Sequence, residues 1–354
     1  MARKTLSLSS FTTESGATLH EPEINYRTWG ELNSDRSNAV VICHALTGSP
    51  DADEWLSGLF GPGNVFDPDR DFIICANVFG GCYGSTGPAS VNPKTGKPYQ
   101  ADFPVLTVRD LVRQQQLLLD HLDVRSVKFV FGGSMGGMQA LEFGVMDDRI
   151  QQMVLVAMGK AHSAWAIGIG EAQRKAIMAD PKWKGGYFDP EDPPADGLAA
   201  ARMMAMISYR THHSFQQRFG RNPQEGKDQF QVESYLNYQG NKLVGRFDAN
   251  TYVRLTQVMD SHDVSRNRED AQAVLHQTTQ PSLIVGIDSD ILYPVAEQKE
   301  LAELLPNGIY RELHSKDGHD GFLIEFEQLS NLILDFLNQS DNTDARKSQL
   351  VSRP

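Results

Sequence analysis

The sequence lacks any apolar run long enough to cross a membrane. A spanning helix needs about 18 or more consecutive apolar residues, and no stretch of the 354 residues approaches that length. The first residues, MARKTLSLSSF, include two basic residues but no apolar stretch of the kind that a secretory signal peptide requires. We therefore expect a soluble, cytoplasmic protein that does not act at a membrane.

Cysteine is scarce and forms no metal-binding pattern. The three cysteines are Cys43, Cys75 and Cys82, and the sequence contains no CxxC pair and no Cys/His cluster. Because Cys43 and Cys75 lie in apolar runs, we expect both to be reduced thiols in the core, with Cys82 more exposed in a glycine-rich loop. We expect no metal site and no permanently bound cofactor.

Basic residues are fewer than acidic residues. The 33 Lys and Arg residues face 45 Asp and Glu residues, which gives a formal net charge of −12. Such a chain is poorly suited to nucleic acid or to an anionic membrane, so we expect neither as a partner. No glycine-rich loop ends in GK[ST], which excludes a P-loop. A small anionic substrate is compatible with this charge, because a site can be locally positive.

Short runs rich in Val and Ile alternate with helical patterns along the chain. The predicted strands are Asn38–His44, Asp71–Asn77, Val127–Phe131, Gln152–Met158 and Pro281–Ile287, and the main predicted helices are Val108–Leu122, Met135–Phe143 and Phe326–Leu337. Nearly continuous apolar strands are typical of parallel strands that are covered on both faces. The sequence therefore predicts an α/β fold with a mostly parallel central sheet and helices on both faces.

A helical block interrupts this alternation. From about His162 to Ala273 there is no convincing strand, and a further strand follows at Pro281–Ile287. This order favours a helical cap, or lid, inserted in one domain over a separate C-terminal helical domain. The predicted divisions are the first part of the core at 1–161, the cap at 162–273, the second part of the core at 274–340 and a polar tail at 341–354.

The motif G-x-S-x-G occurs at Gly132–Gly136, between a predicted strand and a predicted helix. A serine on such a tight turn needs small neighbours, and its hydroxyl is exposed above the sheet. This context predicts that Ser134 is a nucleophile. The backbone N–H of Met135 then points toward a developing oxyanion.

Serine needs a base, and the usual chain order in this type of site is Ser, then Asp or Glu, then His. Asp290 follows the strand Pro281–Ile287, and His319 follows a short predicted strand at Ile309–Leu313. We predict that His319 accepts the proton of Ser134 and that Asp290 orients the imidazole.

Each of these two positions has an alternative. Asp288 lies at the end of its strand and is less well placed than Asp290, and His314 belongs with the strand that precedes it. His212 and His213 in the predicted cap are the other histidines that merit a test.

Two further loops are candidates for ligand contact. HALTG, at residues 44–48, follows an early strand, so the backbone N–H of Leu46 is the candidate second oxyanion donor. The loop Gly80–Pro88 is too rich in glycine to be expected as a packing element, and its backbone is a candidate for close approach to a ligand.

Taken together, these segments resemble the homoserine O-acetyltransferase family of the α/β-hydrolase superfamily, from about residue 15 to about residue 335. The stretches that carry the resemblance are HALTGS, NVFGGCYGSTGP, GGSMGGMQALEF, RFDANTYVRLTQVMD, DSDILYP and DGHDGFLIE. The resemblance implies the α/β-hydrolase fold and a two-step transfer of acetyl from acetyl-CoA, through acyl-Ser134, to the hydroxyl of L-homoserine, a reaction of methionine biosynthesis.

The resemblance also implies substrate anchors. Arg202 looks like the partner of the homoserine carboxylate, because a planar guanidinium matches a carboxylate. Asp320 looks like the partner of the ammonium group, and Tyr209 lines the same channel. The resemblance implies a homodimer that pairs through the caps. A cap that excludes water predicts a deep tunnel with Ser134 at its base.

Several functions stay open on sequence alone. Succinyl-CoA is an alternative donor, and serine is an alternative acceptor, one methylene shorter. An esterase would use the same three residues on water. A non-catalytic binding protein on a decayed hydrolase fold is disfavoured by the intact Ser, Asp and His.

Overall fold

The computed structural model describes the backbone of residues 2–351 and the side chains of residues 2–339. The strands are β1 Lys4–Ser7, β2 Ser10–Thr12, β3 Thr18–His20, β4 Glu23–Trp29, β5 Ala39–Cys43, β6 Phe72–Ala76, β7 Val91–Asn92, β8 Lys97–Pro98, β9 Val127–Gly133, β10 Met153–Val156, β11 Ser282–Ile287 and β12 Gly308–Leu313. The helices are α1 Ala52–Trp55, α2 Val108–His121, α3 Met135–Met146, α4 Ala164–Ala179, α5 Ala195–Tyr209, α6 His212–Phe219, α7 Gln231–Val244, α8 Ala249–Asp260, α9 Ala271–Gln277, α10 Val295–Leu304 and α11 Phe326–Val351.

The central sheet has eight strands in the order β1-β4-β6-β5-β9-β10-β11-β12. From β6 to β12 every neighbouring pair is parallel, and β4 and β1 complete one edge with antiparallel pairing. The predicted mostly parallel sheet is confirmed. Since the strands from β5 to β12 run the same way, the loops that follow them gather at one edge of the sheet.

Buried side chains form a cluster on each face of the sheet. Along β5, Val41 belongs to one cluster, and Val40 and Ile42 belong to the other. The first cluster also contains Leu111, Met138 and Leu301 from α2, α3 and α10, and the second contains Leu329 and Ile333 from α11. Full burial of one such side chain contributes about 1.5–3 kcal/mol. Helices therefore cover both faces, as predicted, and the register of each strand is strongly fixed.

The helices α4 to α9 come between β10 and β11, in the region that the sequence predicts to be helical. Side chains cap several of them: Ser163 accepts a hydrogen bond from the first turn of α4, and Asp248 does so for α8. Helix α5 packs against α4 and α7, and its C-terminal end meets the 3-10 segment Gly318–Leu323. That this block is a cap domain stays a prediction.

The N-terminal strands were not predicted. β1, β2 and β3 have only three or four residues each, and in β2 Phe11 is buried between the exposed Ser10 and Thr12. In β4 six of seven residues are buried, but polar residues interrupt its apolar ones. β2 and β3 form a separate antiparallel pair. Such strands give no continuous apolar run, so the sequence pattern does not predict them.

The C-terminal helix is longer than predicted, since α11 runs to Val351 rather than to Leu337. The predicted polar tail at 341–354 lies outside the residues whose side chains the structure describes. Within the described residues, no helix combines the length and the apolar character needed to cross a bilayer.

Candidate active site

Ser134 is the single residue between the end of β9 and the start of α3. Its φ of 56° and ψ of −127° place it in the left-handed region that residues other than glycine rarely adopt. The Ser134 N–H donates to the carbonyl oxygen of Val156 in β10 at 2.9 Å. The strand-to-helix turn that the motif predicts is therefore present, and it is a strained backbone held by a hydrogen bond.

The glycines around Ser134 are required by close contacts. A Cβ atom on Gly132 would lie 2.0 Å from the carbonyl oxygen of Gly136, and one on Gly136 would lie 2.1 Å from that of Cys43. A Cβ on Gly133 would lie 2.6 Å from the ring of Phe322. Any larger residue would separate the turn from the loop after β5 and from the 3-10 segment that carries His319.

Asp290 and His319 form a buried, hydrogen-bonded pair. His319 Nδ1 lies 2.7 Å from Asp290 Oδ2, and the two residues are 4% and 5% exposed. Because a carboxylate only accepts hydrogen bonds, Nδ1 carries the proton and Nε2 is left for a reaction. Asp290 Oδ1 accepts from the N–H groups of Leu292 and Tyr293, at 2.8 and 3.1 Å. The carboxylate is thus fixed at both oxygens.

Three aromatic rings surround the imidazole of His319. Ring centroids lie 5.2 Å away for Tyr293, 5.5 Å for Tyr209 and 5.7 Å for Phe322. Burial raises the pKa of both tyrosines, so their hydroxyls stay neutral near pH 7. Phe322 packs against both His319 and Gly133, so the segment that carries His319 packs against the turn of Ser134. Among the described residues, Ser134 Oγ makes no hydrogen bond.

The alternative residues occupy other places. Asp288 Oδ2 pairs with His314 Nδ1 at 3.0 Å on an exposed surface, and Asp288 does not contact His319. Both His212 and His213 are exposed at the start of α6. Asp288, Glu312 and His314 offer ligand atoms within 4.8 Å of one another, an arrangement that a metal ion can use, although these residues already pair among themselves.

The two predicted oxyanion donors come from segments that touch. Among the described residues, neither the N–H of Leu46 nor that of Met135 has an acceptor. Gln139 Nε2 donates to the carbonyl oxygens of Met135 and His44, at 3.1 and 3.2 Å. This amide ties the first turn of α3 to the loop of Leu46, so the two free N–H groups are held in neighbouring segments.

The loop of Leu46 is anchored by His44, a role that sequence reasoning missed. His44 Nδ1 donates to the carbonyl oxygen of Ala45 at 2.8 Å, and Nε2 accepts from the Val78 N–H at 3.2 Å. Asn77 Nδ2 also contacts Nε2, at 3.1 Å. Burial lowers the pKa of His44 to about 4, so the ring is neutral, as its acceptor role requires. Nothing in the local sequence pattern signals this network, which forms only when the two loops meet.

The glycine-rich loop Gly80–Pro88 is largely buried, so the expectation that it is not a packing element was wrong. A Cβ on Gly81 would lie 2.7 Å from Asn77 Oδ1, and one on Gly87 would lie 2.1 Å from the carbonyl oxygen of Gly81. Ser85 Oγ donates to the Asn77 carbonyl oxygen at 2.6 Å. These glycines are needed for packing against the protein itself, and contact with a ligand stays a prediction.

The cysteines lie where the sequence predicts. Cys43 and Cys75 are buried and Cys82 is partly exposed, and all three are free thiols. Burial raises the pKa of Cys43 to about 12, so it is protonated and unreactive at neutral pH.

Of the predicted substrate anchors, Asp320 is next to His319 in the chain, and Arg202 is linked to His319 through the ring of Tyr209. The Arg202 guanidinium lies 5.7 Å from the ring centroid of Tyr209, which in turn contacts His319. Within the described part of the chain, Arg202 has no carboxylate partner within 4.0 Å. Asp320, next to His319, already pairs with Arg210, whose Nε is 3.0 Å from Asp320 Oδ2. One anchor is therefore free and the other is paired within the protein.

Ser134 is buried, and other residues of the predicted site border a small cavity. Ser134 is 6% exposed, and Leu46, Tyr209 and Tyr293 border a small cavity of about 20 Å³ together with residues of α4 and α8. A cavity of that size holds about one water molecule. A tunnel with Ser134 at its base stays a prediction.

The parallel sheet, the serine on the turn after β9 and the pair of Asp and His in later loops together define an α/β hydrolase. In agreement, the family profile described as "alpha/beta hydrolase fold" matches residues 38–326. A homoserine O-acetyltransferase from Chlorobium chlorochromatii (strain CaD3) is 56% identical over 333 residues, which cover 93% of each chain. The chain belongs to the homoserine O-acetyltransferase family of α/β hydrolases.

Solved structures agree with this assignment. The crystal structure of homoserine O-acetyltransferase from Bacillus anthracis superposes with a TM-score of 0.90 at 27% identity, covering 95% of this chain and 97% of that one. The structure of esterase E22 superposes with a TM-score of 0.87 at 25% identity, covering 95% and 99%. The same architecture thus occurs in a transferase and in an esterase.

Proposed function

We propose that this protein is a homoserine O-acetyltransferase, which transfers acetyl from acetyl-CoA to the hydroxyl of L-homoserine through an acyl-Ser134 intermediate. The observation that carries the proposal is the buried 2.7 Å hydrogen bond between Asp290 and His319, in a chain whose Ser134 occupies a strained strand-to-helix turn. It occurs in a chain that is 56% identical to a relative named for this activity.

In the first half-reaction, His319 Nε2 accepts the proton of Ser134 Oγ as the oxygen attacks the thioester carbonyl carbon. The N–H groups of Leu46 and Met135, both without an acceptor in the described structure, stabilise the oxyanion that forms. The carbon–sulfur bond then breaks, and His319 returns the proton to the departing sulfur. CoA leaves as the free thiol, and the acetyl group stays on Ser134.

In the second half-reaction, the homoserine hydroxyl takes the place of CoA. His319 accepts the hydroxyl proton while the hydroxyl oxygen attacks the acetyl carbon. The bond to Ser134 Oγ breaks, the proton passes from His319 to that oxygen, and O-acetyl-homoserine leaves. Asp290 stabilises the imidazolium in both half-reactions.

Arg202 and Asp320 are proposed to hold the acceptor, with the carboxylate at the guanidinium and the ammonium at the side-chain carboxylate. The support is their position: Tyr209 lies between Arg202 and His319, and Asp320 follows His319 directly. Two fixed charges that bind the ammonium and carboxylate groups on Cα would fix the backbone of the amino acid and so orient its side-chain hydroxyl for attack. An alcohol without ammonium and carboxylate groups should therefore be a poor acceptor.

We further propose that residues 162–273 act as a cap that excludes water, and that the enzyme is a cytoplasmic homodimer in methionine biosynthesis. The support for pairing is an exposed apolar surface on α5 and α7, where Met204, Ile207 and Tyr238 are 40%, 54% and 61% exposed. Sedimentation analysis tests the dimer, and a monomer at micromolar concentration would contradict it.

The second candidate function is an esterase, favoured by the superposition with esterase E22. Release of CoA separates the two functions when it is measured with acetyl-CoA or succinyl-CoA, each with L-homoserine, with L-serine or with no acceptor. We expect rapid release that requires acetyl-CoA and homoserine together. Equal release without an acceptor would support a hydrolase, and a preference for succinyl-CoA or for serine would change the donor or the acceptor.

A further inference from the structure

The end of helix α5 contacts the segment around His319 at consecutive positions. The ring of Tyr209 lies against the imidazole of His319, with centroids 5.5 Å apart. The carbonyl oxygen of Tyr209 lies so close to Gly318 that a Cβ there would be 2.7 Å away. Thr211 Oγ1 donates to the carbonyl oxygen of Lys316 at 2.6 Å. The end of α5 therefore sets the position of the segment that carries the base.

Arg210 stands between these contacts and bridges two carboxylates. Its Nη1 lies 2.6 Å from Asp317 Oδ1, and its Nε lies 3.0 Å from Asp320 Oδ2. In the sequence, Asp317 lies two residues before His319, and Asp320 lies one residue after it. The three paired side chains are each only 15–19% exposed, so solvent screens the pairs less than it screens surface ion pairs.

The charges that face Asp320 come from two elements. Arg202 and Arg210 approach from α5 and its end, and His319 is the neighbour on the same segment. Burial raises the pKa of the Asp320 carboxyl, and among the neighbouring basic side chains Arg210 opposes this rise most strongly. Of these side chains, Arg210 therefore does most to favour the ionised form of Asp320.

We propose that Arg210 is a positioning residue for the acceptor half-reaction: its ion pair with Asp320 holds this carboxylate beside His319, where it can receive the ammonium group of the acceptor. The inference rests on the proposed function, because it takes Asp320 as the ammonium anchor. Arg210 acts through Asp320 and does not touch the thioester. Its loss should therefore weaken the second half-reaction and leave the first one unchanged.

The pH dependence follows from the same contacts. Without Arg210, the pKa of Asp320 rises further, so the carboxyl stays protonated and neutral up to a higher pH. A neutral carboxyl attracts an ammonium group only weakly. The acid limb of kcat/KM for homoserine therefore moves to higher pH when Arg210 is replaced, whereas CoA release in the absence of homoserine keeps its pH profile.

The test uses Arg210→Gln, which removes the charge but keeps a polar, though shorter, side chain. We expect the KM for homoserine to rise by about tenfold at pH 7 and the acid limb to shift upward. Single-turnover release of CoA from acetyl-CoA, without homoserine, should change by less than about twofold. An unchanged KM for homoserine would overturn the inference. Equal slowing of both half-reactions would also overturn it, because it would indicate that Arg210 has only a structural role.

Two further variants complete the test. Arg210→Lys keeps a cation but loses the fork that reaches both carboxylates, so it should restore the position of the acid limb while KM stays raised by about threefold. If Arg210→Gln does not fold, Arg210→Lys provides the test. A KM for homoserine equal to that of wild type in Arg210→Lys would then overturn the inference. Asp317→Asn is the matched control: its amide oxygen can still accept from Arg210 Nη1, so Arg210 stays beside Asp320 and the KM for homoserine should stay within about twofold of wild type.

The wild-type enzyme separates this inference from the proposed function. If it shows no transfer of acetyl to homoserine, the proposed function fails before Arg210 is tested. If it transfers acetyl and Arg210→Gln affects both half-reactions alike, only the role of Arg210 fails.

Discussion

Ser134 and His319 are positioned by different kinds of interaction. Ser134 depends on its backbone: a strained φ of 56°, glycines on both sides and a hydrogen bond from its N–H, with no hydrogen bond to its hydroxyl among the described residues. His319 depends on side chains: a carboxylate at Nδ1 and three surrounding rings. The proposed nucleophile, Ser134, is held by its backbone and can lose its side chain without loss of structure, whereas the proposed base, His319, depends on each of its partners.

The largest effect is expected for Ser134→Ala. Alanine adopts a positive φ no less readily than serine, and no hydrogen bond to the hydroxyl is lost, so the melting temperature should stay near that of wild type. Transfer of acetyl to homoserine should fall on the order of 10⁴-fold or more. Thermal unfolding and CoA release measure the two effects. A folded variant with unchanged turnover would refute the mechanism as a whole.

The next effect is expected for Asp290→Asn, which breaks the side-chain support of the base. The amide oxygen can still accept from Leu292 and Tyr293 N–H, so the loop is retained. The amide favours the wrong tautomer of His319, and kcat should fall on the order of 10³- to 10⁴-fold.

The matched control is Asp288→Asn, two residues earlier, which loses the exposed pair with His314. An exposed pair contributes about 0–1 kcal/mol, so activity should stay close to wild type. Equal losses in the two variants would show that the loop as a whole, rather than the carboxylate of Asp290, supports His319.

The sequence predicts well those features that a local pattern or the chain order encodes. The five strands of Val and Ile that it identifies all belong to the central sheet, because strands buried on both faces leave a continuous apolar signature. Ser134 is flanked by glycines that its turn requires, so the local pattern carries the geometry. Asp290 and His319 follow strands that end at one edge of the sheet, so chain order was enough to select them for the site.

The features that escaped prediction depend on contacts between distant segments. Arg210 is one of several polar residues in a helical region, and only the fold brings it between Asp317 and Asp320. His44 begins a loop that sequence reasoning selected for the N–H of Leu46, yet its partners lie more than 30 residues away. No local periodicity encodes such contacts.

The smallest of the three effects concerns His44, which extends the comparison to the loop of Leu46. This loop is tied to helix α3, which begins after Ser134. Like His319, however, it is held in place by a side chain. The folded chain does not protonate His44 until about pH 4, whereas the unfolded chain does so near pH 6.5. Stability is therefore fully present above pH 6.5 and falls as the pH drops through this window, by roughly 3 kcal/mol in total.

His44→Gln should reduce that dependence. Burial also lowers the pKa of His162, to about 3, and that of His262, so the wild-type slope combines several buried histidines. Removing His44 should lower the slope of unfolding free energy between pH 6 and 4.5 by about 1 kcal/mol per pH unit. Urea unfolding at a series of pH values measures it, with His212→Gln as the exposed control. A slope equal to wild type would mean that the folded protein accepts a proton at His44, and the hydrogen bond from Val78 to Nε2 would then not hold the loop of Leu46.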